Sequence, residues 1–218
     1  AQTLFIALKK LYPESPIDVL APAWSAPILE RMPEVRKAIA LPFGHGDFKL
    51  AGRWKQGLSL TGGLYQRAFV LPNSFKSALV PFFARIPLRT GWRGEMRHGL
   101  LNDIRLLDKE RYPLMIERFV ALAYPADAPL PKPLPRPALQ SAAESAAGAM
   151  ASHRLFLERP VLALCPGAEF GPSKRWPAQR YAELAQTMID RGWQVWLFGS
   201  ANDAGVADEI QAGLAEPE

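Results

Sequence analysis

The sequence predicts an α/β protein with its strands in parallel sheets, organised in two parts. Three observations carry that prediction. Short apolar runs alternate with segments of helical spacing through most of the chain, the order that builds a parallel sheet covered on both faces. Six prolines crowd residues 125–137 and interrupt the alternation. A second alternating set then begins at residue 160.

Taken in order, Leu4, Ala7, Leu8 and Leu11 recur at helical spacing from the first residues onward. IDVLAP (17–22) reads as a short buried strand, AWSAPILERM as a helix and RKAIALP as a strand. AGRWKQGLSL predicts a helix and YQRAFVLP (65–72) a strand. SFKSALVPFFA (74–84) has helical spacing that Pro81 must kink or end. YPLMIERFVALAY (112–124) predicts a helix, with Pro113 in its first turn and Met115, Phe119 and Leu122 on one side.

The stretch AYPADAPLPKPLPRPALQ favours extended polyproline geometry and excludes an interior helix or a central strand. It reads as a connector, the alternative being a peptide for a proline-binding module. An Ala-rich helix follows in ALQSAAESAAGAMASH. PVLALC (160–165) and WQVWLFG (193–199) are strands, each followed by a helix, AQRYAELAQTMIDRG and NDAGVADEIQAGL. Tyr181, Leu184, Ala185, Met188 and Ile189 form the inward stripe of the first, which Gly192 closes. Two strand–helix units bury too little to stand as an open sheet. The second domain is therefore expected to continue past residue 218. The first, which opens without Met and already within a helix, is expected to begin upstream. The domain assignment is 1–124, then a connector and linking helix over 125–158, then 159–218.

Composition narrows the class. At 49% hydrophobic and 22% charged residues, the chain is an ordinary globular one. No apolar run approaches the roughly 18 residues of a membrane span, and the start does not read as a signal peptide. The single cysteine, Cys165, cannot form an internal disulfide and reads as a packed thiol in a strand of a reducing compartment, the cytoplasm. Net charge is +5, yet residues 49–111 alone hold twelve Lys/Arg against four Asp/Glu. Such a patch attracts anions such as nucleic acid, acidic headgroups or phosphorylated sugars, unless it is simply a solvated face. A nucleic-acid-binding protein is the non-enzyme alternative, and no nucleic-acid motif accompanies the charge.

The most informative stretch is LALCPGAEFGPSKRWPAQRYAELAQTMI (162–189). Twelve residues separate its strand from its helix, where a connection of about two to six is usual. Gly167 and Gly171 permit close backbone approach. Ser173, Lys174 and Arg175 sit just before a helix N-terminus, whose N–H groups and dipole favour anions. In parallel sheets ligands collect at the carboxyl ends of strands, so the loop suits a pyrophosphate, the alternative being a solvated surface loop. It matches neither the P-loop nor the GxGxxG fingerprint. The scattered His45, His98 and His153 predict no metal site.

Five segments, LCPGAEFGPSKRWP, FGSANDA, LAPAWSAPILERMPEV, VLPNSFKSALVPFFARIPLRTGWRGEMRHGLLND and YPLMIERFVALAY, together resemble the bacterial ADP-heptose:lipopolysaccharide heptosyltransferase II family, in glycosyltransferase family 9. The similarity runs in order through almost the whole chain outside the Pro/Ala-rich region. It implies a GT-B fold, two Rossmann-like domains facing a cleft. The C-terminal domain would take ADP-heptose as a substrate rather than a cofactor. The N-terminal domain would take heptosyl-Kdo-lipid A, with inversion, no metal and no nucleic acid. Placement at the cytoplasmic face of the inner membrane, as a peripheral contact, fits that acceptor. Heptosyltransferase I or III is the alternative within the same architecture.

The resemblance assigns Lys174 to the departing diphosphate, with Ser173 and the backbone of Gly167, Ala168 and Glu169 in support. Gly199 and Ser200 end the next strand, where the adenosine is expected. Asp203 either binds ribose hydroxyls or caps the last helix. Lys76 and Arg97 match acceptor-binding cations, with Arg53 and Arg93, and then Lys55 and Arg89, as weaker candidates. Trp54 and Trp92 either stack on sugars or anchor their loops. The general base implied by the family is the Asp of a Gly-Asp pair expected just upstream, and a further Asp-bearing nucleotide motif is expected downstream. On that expectation residues 1–218 alone have little or no transferase activity.

Overall fold

Among the described residues, parallel strands form three separate sheets. The structure is a computed structural model describing residues 1–44, 46–168 and 172–215. Its contacts divide the chain into two units, Ala1–Ser141 and Ala142–Glu218.

In the first unit, helix α1 (Gln2–Leu11) precedes strand β1 (Ile17–Pro22), short helix α2 (Ala26–Leu29) and strand β2 (Val35–Leu41). Strands β1 and β2 pair in parallel, Val19 opposite Ala38. After helix α3 (Leu50–Leu60) comes a three-stranded parallel sheet of β3 (Arg67–Phe69), β4 (Leu88–Trp92) and β5 (Asp103–Arg105), with β4 in the middle. Helix α4 (Leu79–Phe83) links β3 to β4, and α5 (Met115–Ala121) follows β5. The core joins Leu4, Phe5 and Leu8 of α1 to Val120, Ala121 and Leu122 at α5, closed by Trp92 and Tyr112. Each such Leu or Val buried contributes about 1.5–3 kcal/mol over leaving it in water.

Several expectations are corrected here. Strand β4, Leu-Arg-Thr-Gly-Trp, has only two large apolar residues and β5 is the three residues Asp-Ile-Arg, so neither announces itself as an apolar run and the sequence reading passes over them. Pro81 is accommodated in the first turn of α4, after a 3-10 turn at Phe75–Ala78, so it ends nothing. Pro113 precedes α5 altogether, since Leu114 is its N-cap. Of the expected stripe, Leu122 is buried and Phe119 packs against the core, but Met115 is 56% exposed, and Val120 and Ala121 complete the inward face. The proline-rich stretch packs along the first unit, with Leu130 and Leu134 against the core. Gln2 Nε2 donates to Ala138 O (2.6 Å), and the Gln140 N–H donates to Arg31 O (2.8 Å).

An ion cluster ties the strands at their amino ends. Arg36 donates twice to the Asp18 carboxylate, through Nε (2.8 Å) and a terminal nitrogen (2.5 Å), while the Tyr65 hydroxyl donates to it from just before β3 (2.5 Å). The Asp18 side chain is only 3% exposed. Its bond from Arg36 is the main cause of a pKa below the ordinary Asp value, against an opposing push from burial. A carboxyl depressed in the folded state contributes stability above its unfolded pKa and loses it as pH falls through the folded one. Urea midpoints should therefore drop below about pH 4, near the unfolded Asp value. Asp18→Asn should lower the midpoint at neutral pH and flatten part of that acid limb.

In the second unit, helix α6 (Ala143–Ser152) precedes strand β6 (Val161–Leu164), helix α7 (Ala178–Ile189), strand β7 (Gln194–Leu197) and helix α8 (Ala204–Ala212). Strands β6 and β7 pair in parallel, Leu162 opposite Val195. Ala182 and Ala185 of α7 are fully buried, with Tyr181, Leu184, Met188 and Ile189 half-buried around them. Gly192 takes φ +82° just past α7, a conformation that glycine adopts without strain.

Candidate active site

The carboxyl ends of β6 and β7 lie side by side, because the Phe198 N–H still donates to Leu164 O (2.8 Å) after both strands have ended. Two loops leave from this point. The first runs from Cys165 through Gly167 and Ala168 and returns by a 3-10 turn, Pro172–Lys174, into α7. Glu169 and Gly171 lie outside the described residues, as does His45. Arg175 donates to Ala168 O (3.2 Å), bridging the two ends of the loop. Trp176 meets the Tyr181 ring edge-on, with centroids 4.9 Å apart, and so fastens the Arg-Trp-Pro corner to the helix. Ser173 and Lys174 lie exposed on this anchored turn, just ahead of the amino end of α7.

The second loop holds Gly199 and Ser200 and then Asp203, which precedes α8. One carboxylate oxygen of Asp203 accepts both the Ser200 N–H and the Ser200 hydroxyl, each at 2.8 Å. The carboxylate thereby closes a capping box on the 3-10 turn Ala201–Asp203, while Asp203 makes no side-chain cap bond to α8 itself. Those two bonds, joined by the charge of Arg175, hold the carboxyl below the ordinary Asp range. The side chain also backs onto both loops. A Cβ on Gly167 would overlap the carboxylate, and one on Gly199 would fall 2.9 Å from Asp203 Cβ. Both glycines thus make room for Asp203, which wedges the two loops together.

One residue of this region escapes the sequence reading. Cys165 is exposed, because β6 stops at the buried Leu164 and leaves the thiol as the first loop residue. It is not the packed strand thiol expected. The loops bring together Ser173, Lys174, Arg175, the glycine backbone and the positive end of a twelve-residue helix, a donor set suited to a diphosphate.

In the first unit the expected acceptor cations divide into two kinds. Arg53 is 4% exposed and donates to the carbonyls of Phe48 (2.7 Å), Lys76 (3.2 Å) and Asp47 (2.8 Å), with its guanidinium over the Phe43 ring. Arg97 is 2% exposed and donates to Pro72 O (2.6 Å), Trp92 O (2.5 Å), Ser77 Oγ (3.1 Å) and Asn73 Oδ1 (3.4 Å). Burial lowers the pKa of both, against a weaker opposing pull from the charge of Asp47 on Arg53 and of Glu95 on Arg97. Both side chains are buried rather than presented to solvent, Arg53 on three backbone carbonyls and Arg97 on two carbonyls, Ser77 Oγ and Asn73 Oδ1, with Arg97 Nε left without a partner. Arg89 likewise bonds Leu100 O and Ile86 O. Arg93 and Lys55 are exposed and Lys76 half-buried. Trp92 is buried and donates to Arg118 O (3.1 Å), an anchor, whereas Trp54 is 52% exposed.

A family model, "Glycosyltransferase family 9 (heptosyltransferase)", matches residues 53–217. The chain belongs to glycosyltransferase family 9. Lipopolysaccharide heptosyltransferase 2 of Escherichia coli K12 is 55% identical over 98% of this chain. Lipooligosaccharide heptosyltransferase 2 of Haemophilus ducreyi is 50% identical over 99%. The solved structure of E. coli ADP-heptose LPS heptosyltransferase II matches with a TM-score of 0.91 at 53% identity, over 98% of this chain and 64% of that one. The chain spans 63% and 64% of the lengths of those two curated relatives. Its α/β fold is of the GT-B class that this glycosyltransferase family shares.

Proposed function

We propose that the intact protein transfers L-glycero-D-manno-heptose from ADP-heptose to the first heptose of the lipopolysaccharide inner core, without a metal or cofactor. The observation that supports this most is the 55% identity to lipopolysaccharide heptosyltransferase 2 across nearly the whole chain. The β6 and β7 loops supply a chemistry to match. The acceptor hydroxyl attacks the anomeric carbon as the bond from that carbon to the diphosphate oxygen breaks, so the configuration inverts. The electron pair leaves with the diphosphate, and negative charge grows on its oxygens.

Lys174 meets that charge from an anchored turn, so it acts more strongly on the transition state than on the bound donor. Ser173 and the backbone at Gly167, Ala168 and Glu169 assist, with Gly199 and Ser200 toward the adenosine. Asp203 holds the two loops in register. Lys76 and Arg93 offer cations to an acceptor rich in carboxylate and phosphate, heptosyl-Kdo-lipid A, while Arg53 and Arg97 shape the loops that carry them. The hydroxyl proton goes to a carboxylate base, which we assign to no Asp of this chain. The protein works in the cytoplasm at the inner face of the inner membrane, where that acceptor lies.

The intact protein should be assayed with ADP-heptose and acceptors ending in Kdo, in the first heptose or in the second. Transfer should require the first heptose. A preference for Kdo or for the second heptose would move the protein to another acceptor step of the family.

A further inference from the structure

Helix α3 is built inside out. Its buried side chains are Arg53 and Gly57, and Gly57 lies so close to α4 that a Cβ there would come within 2.5 Å of Phe83 Cβ and 2.9 Å of Val80 O. Its bulky apolar residues face away from the protein, with Leu50 48%, Trp54 52% and Leu58 42% exposed. At spacings of four residues these three fall within an arc of about 80° on one side of the helix. Phe48 (51% exposed) and Phe75 (37% exposed) stack on each other beside the start of α3, with centroids 6.5 Å apart. Arg53 holds that neighbourhood together through Lys76 O and Phe48 O. Five large apolar side chains so grouped form a patch of the kind that marks an interaction surface.

The charge around the patch says what it meets. Residues 48–60 contain Lys49, Arg53 and Lys55 and no Asp or Glu. Lys55 lies on the same exposed side as the stripe, and Lys76 borders it. The nearby acids are engaged, Asp47 by Lys49 (2.9 Å) and Glu95 by the Phe75 N–H (2.7 Å). A protein partner would need an apolar groove lined with its own acids, whereas a bilayer with anionic headgroups supplies both properties at once.

We propose that α3 docks on an anionic lipid bilayer, lying in the headgroup plane. Leu50, Trp54 and Leu58 enter the boundary with the acyl chains, and Lys55 and Lys76 reach lipid phosphates. This deepens the placement proposed above and rests on it only for the choice of lipid as the partner.

The test uses the intact protein and sedimenting vesicles that contain no glycolipid and no donor, so its outcome is separate from that of the transfer reaction. Binding is expected to vesicles of phosphatidylglycerol with phosphatidylcholine, to weaken as salt rises, and to be slight on phosphatidylcholine alone. The double variant Trp54→Ser/Leu58→Ser should bind at least about tenfold more weakly, two buried apolar side chains being lost, with its thermal unfolding unchanged. Lys55→Gln should give a smaller loss that high salt abolishes. Equal binding to neutral vesicles, undiminished binding by the double variant, or binding only when lipopolysaccharide is added would overturn the proposal. So would a wild type that ignores vesicles while the double variant unfolds earlier or changes its mass in solution, since the protein itself or a second copy would then cover the stripe.

Discussion

Replacing Lys174 by alanine in the intact protein should lower kcat by roughly 10²–10³-fold, the scale of removing one fixed charge-stabilising donor. The KM for ADP-heptose should change far less. The reasoning is geometric. The 3-10 turn that ends in Lys174 is followed at once by two anchors, Arg175 on Ala168 O and Trp176 on Tyr181. A cation on such a turn is already in place when charge appears on the leaving oxygens, so no reorganisation is needed at that moment. A lysine that merely decorated a surface loop would leave both constants untouched. One that bound donor and transition state equally would raise KM and spare kcat. Steady-state kinetics of Lys174→Ala beside Lys174→Arg separate these outcomes, the arginine variant being expected to recover part of the rate.

Arg97→Met should cost about 3 kcal/mol of folding stability, read as a lowered urea midpoint, the balance of several opposing contributions. Burying a guanidinium that no carboxylate hydrogen-bonds is unfavourable, and burial lowers its pKa despite the opposing charge of Glu95. Methionine removes this penalty and roughly keeps the volume. It also strands the buried Trp92 O and removes the donors to the partly buried Pro72 O, Ser77 Oγ and Asn73 Oδ1, and a buried acceptor left without a donor costs about 1–3 kcal/mol, a partly solvated one less. The loss should outweigh the relief. Because these acceptors belong to the loops after β3 and β4, the variant should also raise the KM for the acceptor while leaving the KM for ADP-heptose unchanged. Direct contact with an acceptor anion would instead weaken acceptor binding with no change in stability.

The fold was legible wherever burial leaves an apolar run. The strands IDVLAP, RKAIALP, PVLALC and WQVWLFG are such runs, and each matches an observed strand to within a residue or two at its ends. Strands β4 and β5 were not legible, because β4 has only Leu88 and Trp92 as large apolar residues and β5 is only the three residues Asp103–Arg105. Thr90 and Arg105 hold Asp103, and Arg105 also reaches Ala121 O and Tyr124 O. Contacts made only in the fold leave no periodicity to read. The same blindness affected the basic patch. Nothing in the sequence separates Arg97, turned onto backbone, from Arg93, turned to solvent. The proline run was half legible, in that its extended form was expected while its packing against α1 and the core depended on Leu130 and Leu134, set among the prolines. The candidate donor loop was the most legible feature, because glycine, a hydroxyl and cations before a helix are a local pattern. The wedge made by Asp203 between Gly167 and Gly199 joins two loops and could not be read from either.

The central claim is that the turn bearing Lys174 receives the diphosphate of a nucleotide sugar. A crystal structure of the intact protein soaked with ADP tests it most directly. The account predicts the diphosphate within hydrogen-bonding distance of Lys174 Nζ, against the carboxyl ends of β6 and β7. ADP bound with its phosphates on another surface, and Lys174 out of reach, would contradict it.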